Sequence, residues 1–184
     1  MKIVLSLTLV LLLTACASSD KVVLEPMELE KFTASAKIEK LWSRDVGKGQ
    51  DARYTQLLPA LVGDTIVTTD IRGEVTAIHK HSGKVAWQVE LDQRVSAGVG
   101  AGYDLLFVGT YDAQVIALRA DNGAEVWRQN VNSEILSPPR TNGRVVAVQT
   151  LDDQLYALDH ATGRQLWSYE VTSPPLTVRG TASP

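Results

Sequence analysis

The sequence predicts an all-β fold, a β-propeller of four-stranded blades, from three observations. An eleven-residue phrase recurs at a fixed interval: "AIHKHSGKVAW" from Ala77, "ALRADNGAEVW" from Ala117 and "ALDHATGRQLW" from Ala157. Its closing tryptophans, Trp87, Trp127 and Trp167, are spaced forty residues apart. The stretches between the turn signals are rich in valine, isoleucine and tyrosine, as pleated strands prefer. A repeat of about forty residues with four short strands per unit is the signature of propeller blades. The turn spacing and the β-branched content exclude a helical repeat of similar length.

Each element follows in order. In the second copy "YDLLFVGT", "AQVIALR" and "AEVWRQNV" read as strands, with the shorter run "VSAGV" ahead of them. Asp121-Asn122-Gly123 is a tight hairpin, because Asn and Gly adopt positive φ at low cost. His81-Ser82-Gly83 and Ala161-Thr162-Gly163 stand in the same place. On the third strand Val75, Val115 and Leu155 point the same way as Ala77, Ala117 and Ala157, and Ile78, Leu118 and Leu158 point the other way. Both faces are apolar, so a neighbouring sheet must cover each one. The small alanine leaves room that a large tryptophan fills.

Three units are complete, at about 57–91, 95–131 and 135–171. Trp42, in "EKLWSRDV", marks a lone fourth-type strand with no companions before it, and "SPPLTVRGTASP" reads as the start of a further blade. Three blades cannot close a ring. The reading is therefore the N-terminal portion of a longer propeller, with 38–184 forming the partial ring. Alone, such a piece is expected to be poorly soluble or only partly folded, because both ends expose sheet edges.

The N-terminus reads as an address. Lys2 precedes an apolar run from Ile3 to Leu13, long enough for a signal peptide and too short to span a bilayer, which takes ~20 residues. Residues 1–15 read as a leader and 16–37 as a tether. Leu13-Thr14-Ala15-Cys16 resembles a bacterial lipobox, and Cys16 is the sole cysteine. That resemblance implies cleavage before Cys16 and acylation of it, and two or more acyl chains anchor stably. Ala17, where Asp would mark inner-membrane retention, implies delivery to the outer membrane.

Composition excludes other classes. Hydrophobic residues make up 45% and charged residues 21%, which is globular. The net charge of −3 with no basic stripe argues against nucleic acid as a partner. His79 and His81 could offer imidazoles to a metal, but His160 belongs to another repeat and the turn reading is preferred. Asp152-Asp153 reads as a hairpin turn. No nucleophile triad, phosphate loop or zinc spacing appears, so no catalytic, cofactor-binding or metal residues are assigned, and no cofactor is expected.

The tryptophans precede Ser43, Gln88, Arg128 and Ser168 rather than Asp, which separates these repeats from the WD type. The pattern Ala-(Leu/Ile)-x-x-x-(Thr/Asn/Ser)-Gly-x-x-x-Trp instead resembles quinoprotein-type repeats. Lipobox, tether, first Trp strand and these repeats together resemble the BamB family, lipoproteins of the outer-membrane β-barrel assembly machinery. "LWSRDVGKG" and "SPPLTVRGTASP" add to the match. The resemblance implies an eight-bladed ring in the full protein, on the periplasmic side of the outer membrane. It implies a non-enzymatic scaffold that binds the periplasmic domains of BamA and works with the other assembly subunits. In that family a Leu-x-Leu-Arg segment after the third complete blade is associated with BamA docking. Here the matching residues are Leu176, Val178 and Arg179, with Val178 departing from the second leucine. On the residues alone they are equally inward strand positions beside a solvated arginine. The same repeat is shared with quinoprotein dehydrogenases, and an envelope-binding module of another kind is the third reading.

Overall fold

The computed structural model describes residues 27–29, 33, 35–49, 51 and 55–170. The proposed leader, Cys16, most of the tether and the start of the further blade lie outside them. The described chain contains twelve strands in three four-stranded antiparallel sheets and no helix. The first sheet is β1 (Ala60–Val62), β2 (Thr65–Thr69), β3 (Glu74–His79) and β4 (Val85–Glu90). The second is β5 (Gly100–Gly102), β6 (Leu105–Gly109), β7 (Gln114–Arg119) and β8 (Glu125–Asn130). The third is β9 (Arg140–Thr141), β10 (Val145–Gln149), β11 (Gln154–Asp159) and β12 (Gln165–Glu170). In each sheet the strands are neighbours in chain order, so each is a meander of hairpins.

One expectation is corrected. "VSAGV" is not the first strand of the second sheet. That strand is β5, beginning at Gly100, and Val95 makes only an isolated bridge to Thr110. Residues 95–99 are buried instead as a lead-in, spent on contacts between sheets. The Val99 amide donates to the Leu58 carbonyl at 3.2 Å, tying the first sheet's lead-in to the second's. A Cβ on Gly100 would collide with the Pro139 carbonyl, so the innermost strands approach as closely as backbone allows.

The sheets pack face to face in chain order. Val67, Val75 and Ala77 of the first sheet meet Leu106, Val108, Ile116 and Leu118 of the second in one apolar cluster. Phe107, Val115, Ala117 and Trp127, on the second sheet's other face, meet Val146, Val148, Tyr156 and Leu158 of the third. The two-sided burial expected of the third strand is thus realised: Val115, Ile116, Ala117 and Leu118 are all fully buried. Every large side chain buried this way contributes about 1.5–3 kcal/mol.

The turns repeat as faithfully as the strands. Gly83, Gly123 and Gly163 have φ of 68°, 75° and 73°. Each donates its amide to a carbonyl four residues back: His79, Arg119 and Asp159, at 2.8–2.9 Å. The outer strand then carries a β-bulge. Ala77 pairs with Trp87 while Ile78 pairs with Val85, so Ala86 is the extra residue. The second and third sheets bulge at the matching place. A bulge raises twist and re-aims the next side chain, here the tryptophan.

The turn glycines are constrained twice, by φ and by space. A Cβ on Gly123 would lie 2.7 Å from the Trp87 ring, whereas a Cβ on Gly63, at φ 55°, would meet nothing within 4 Å. Gly123→Ala should therefore destabilise by about 3 kcal/mol, the sum of a left-handed backbone and an overfilled contact. Gly63→Ala should cost only about 1–2 kcal/mol, the backbone part alone. Denaturant unfolding of the two variants measures the difference.

Candidate functional site

The repeated side chains assemble one device three times. Trp42, Trp87 and Trp127 each lay an indole ring on the turn glycine of the following sheet: Gly83, Gly123 and Gly163. Each also donates its indole N–H to a carbonyl beside that glycine. Trp42 reaches Lys80 at 2.8 Å, Trp87 reaches Ala120 at 3.1 Å and Trp127 reaches His160 at 3.0 Å. The amides of those residues donate to Asp64, Asp104 and Arg144, in the first hairpin of their own sheet. One peptide position therefore ties a sheet to itself through N–H and to its predecessor through C=O. A neutral bond of this kind contributes about 0.5–1.5 kcal/mol, and a buried acceptor left empty costs more.

Ala77, Ala117 and Ala157 are fully buried opposite Trp87, Trp127 and Trp167 in the strand register. The ring leaves the alanine's own sheet and fills the space over the next one. Trp127 is 8% exposed, and its ring centroid lies 5.8 Å from that of Phe107. Trp167 is 51% exposed and Tyr169 63%. Among the described residues no sheet follows β12, and its whole length is exposed.

Around Trp42 the sequence reading pictured a lone strand. Residues 37–46 carry no strand ladder among the described residues, yet Trp42 docks as the other tryptophans do. Arg44 supports it, donating Nη1 to the Gly83 carbonyl at 2.9 Å.

The remaining chemistry-bearing residues sit at turns and strand ends. His79 is exposed at the end of β3 and His81 on the turn after it. His160 is wedged edge-on between Tyr103 and Phe107, at 6.1 and 5.7 Å between centroids, with Nδ1 3.0 Å from the Thr141 hydroxyl. Asp152 accepts from the Thr150 hydroxyl and Asp153 takes φ of 59°, so the pair forms a turn. Among the described residues no group of three His, Cys, Asp or Glu side chains could hold a metal. The Asp159 carboxyl is held below the usual aspartate range by the hydroxyl and amide of Thr162. The Lys80 ammonium, 2.8 Å away, does the same to Asp64.

The docking candidates Leu176, Val178 and Arg179 lie outside the described residues, as does Cys16. Forty-residue steps map Val178 onto Leu58, Gly98 and Pro138. These positions lie in the lead-ins to the innermost strands, where a Cβ on Gly98 would meet the Leu58 backbone at 2.6 Å. The sequence reading missed the carbonyl at positions 80, 120 and 160. Any residue supplies it, so no side-chain signal marks it.

Trp127→Ala should destabilise by about 3–5 kcal/mol, as a large buried ring does. Trp167→Ala should cost under about 1 kcal/mol, because the half-exposed ring has little to lose. Thermal or urea unfolding separates them. Asp159 has a lowered folded pKa, so its contribution is complete above the ordinary aspartate value of ~3.9 and is lost as pH falls through the folded value. Carboxyl titration by NMR should place Asp159 below that value, and Thr162→Ala should raise it.

Comparison with known proteins agrees with this architecture. A family model described as outer membrane protein assembly factor BamB matches residues 29–94 and 71–184. BamB of Pseudomonas aeruginosa is 48% identical over 104 residues, 56% of this chain and 27% of the relative. BamB of Kangiella koreensis is 41% identical over 109 residues, 59% of this chain and 28% of the relative. The crystal structure of BamB from Moraxella catarrhalis superposes with a TM-score of 0.62 at 30% identity, over 70% of this chain and 38% of that one. A quinohemoprotein alcohol dehydrogenase from Comamonas testosteroni superposes with a TM-score of 0.54 at 24% identity, over 64% of this chain and 21% of that one, which shows the fold alone. The chain thus spans a little over a quarter of the curated relatives' length. With the family model covering the repeats and the stapled sheets superposing on a solved member, the chain belongs to the BamB family of outer membrane protein assembly factors.

Proposed function

We propose that this chain is a non-enzymatic scaffold of the outer-membrane β-barrel assembly complex, acylated at Cys16 and held on the periplasmic face of the outer membrane. It docks on the periplasmic domains of BamA through Leu176, Val178 and Arg179, aiding the folding and insertion of outer-membrane proteins. Residues 1–15 are the leader, 16–37 the tether and 38–184 part of the ring. The observation that carries the reading is the family match along the repeats together with the packing of Trp42, Trp87 and Trp127 on the turn glycines that follow them.

The likeness to a quinohemoprotein dehydrogenase rests on the shared sheet architecture. The residues this repeat contributes, tryptophan, glycine and alanine, are used up in joining sheets, so that likeness transfers a fold and no chemistry.

Two apolar side chains beside an arginine suit an interface anchor, and truncating such an anchor costs about 2 kcal/mol or more. With the family's full-length protein carrying these residues, Leu176→Asp and Arg179→Glu should each weaken capture of BamA periplasmic domains by about thirtyfold or more in a titration. Unchanged binding by both variants would refute the docking assignment.

A further inference from the structure

The seam between the second and third sheets carries a contact that the seam before it lacks. Forty-residue steps align Tyr103 with Gly63 and Gly143, His160 with Lys80 and Ala120, and Thr141 with Leu61 and Ala101. Where the first sheet meets the second, the corresponding residues are Gly63, Ala120 and Ala101. Where the second meets the third, they are Tyr103, His160 and Thr141. Three small residues have become an aromatic ring, an imidazole and a hydroxyl together.

Tyr103 holds its place against backbone strain. It stands at the tip of the β5–β6 hairpin with φ of 53°, followed by Asp104 at 66°. That left-handed region is costly for a bulky residue and open to glycine. The first sheet turns the same corner with Gly63 at 55°. The hairpin itself does not need a tyrosine. The Lys80 amide donates to the Asp64 carbonyl at 2.9 Å behind Gly63, as the Ala120 amide does to Asp104 at 3.0 Å behind Tyr103. A strained residue that its own element does not require points to a contact elsewhere.

That contact is on the third sheet. The Tyr103 ring lies against Gly143, where a Cβ would come within 2.8 Å of it. It meets the His160 ring at 6.1 Å between centroids and 82° between planes, the edge-to-face arrangement that aromatic pairs favour. A Cβ on Gly102 would lie 2.8 Å from the Thr141 methyl, so the hairpin backbone presses on the third sheet as well. His160 is held to receive the ring. The Thr141 hydroxyl donates to the Val145 carbonyl and accepts from the Gly143 amide, both at 3.0 Å. Its remaining lone pair accepts from His160 Nδ1 at 3.0 Å, so Nδ1 carries a proton. The His160 amide and carbonyl are engaged by Arg144 and Trp127. At the first seam the matching place is open, since a Cβ on Gly63 would meet nothing within 4 Å.

We propose that Tyr103 and His160 form a cross-sheet latch that matches the third sheet to the second. The tryptophan staple is common to the seams and cannot tell one sheet from another, whereas the latch can. A second sheet stacked on a copy of itself would set Tyr103 against another Tyr103 in place of Gly143, and against Ala120 in place of His160. The left-handed strain at Tyr103 is offset only when a glycine tip and the histidine lie opposite.

A double-mutant cycle on the full chain, read by urea unfolding, tests this. With the imidazole removed by His160→Ala, Tyr103→Gly is mainly relief of strain and should lower the unfolding constant about fivefold or more. In the wild-type background the same change also loses the latch, and the two effects should differ by about threefold or more. Tyr103→Phe keeps the ring and should leave the constant within about twofold in both backgrounds. Should Tyr103→Gly not fold, Tyr103→Asn accepts a left-handed backbone without the ring, and the same cycle applies. Equal effects of Tyr103→Gly with and without His160 would overturn the latch. A Tyr103→Phe variant whose two effects differ as those of Tyr103→Gly do would overturn the ring contact as its cause.

Discussion

An indole ring lying on a turn glycine, with its N–H on the carbonyl next door, is the contact on which the rest depends. It is never made within one sheet: two of the three join a sheet to the next, and Trp42 joins the segment before the first sheet to that sheet. A four-stranded meander that is apolar on both faces has no stable existence alone. It needs a partner on each side and a rule for how the partner sits. The staple supplies the rule. The glycine lets the ring approach, the bulge aims the ring, and the carbonyl sets how far along the strand it lands. Dispersion and area burial between the faces are larger in sum, but they are indifferent to register, and the hydrogen bond is not.

The architecture was legible because its determinants are side chains at fixed spacing. Trp, Gly and Ala at forty-residue intervals announced a repeat, and alternation on "QVIAL" announced a sheet covered on both faces. What escaped was carried by backbone. The first strand of the second sheet begins at Gly100 rather than Val95, because the lead-in is consumed in crossing to its neighbour, a contact that lies forty residues away in sequence. The acceptor of each indole is a peptide carbonyl at Lys80, Ala120 or His160, three residues with nothing in common but position. The candidate docking residues were legible only through resemblance to a family. Forty-residue steps align Val178 with Leu58, Gly98 and Pro138, of which Gly98 lies hard against the Leu58 backbone.

The first sheet shows how a repeat is specialised without losing its shape. Its four-strand order, its outer bulge and its Gly83 turn match those of its siblings. What differs is the chemistry of one face, where Thr68, Thr76, Asp70 and Glu74 replace aliphatic and neutral residues. Buried carboxylates carry a desolvation cost, which is offset here because each oxygen of Asp70 is met by main-chain amides. Specialisation by paired polar changes on a conserved frame is visible only when the three copies are set against one another.

The staple also has a direction. A sheet offers its ring forward and its carbonyl backward, so among the described residues the stack runs from an acceptor at Lys80 and Gly83 to a half-exposed ring at Trp167. A chain made N-terminus first therefore presents each ring before the glycine and carbonyl that receive it, Trp42 before Gly83, Trp87 before Gly123 and Trp127 before Gly163.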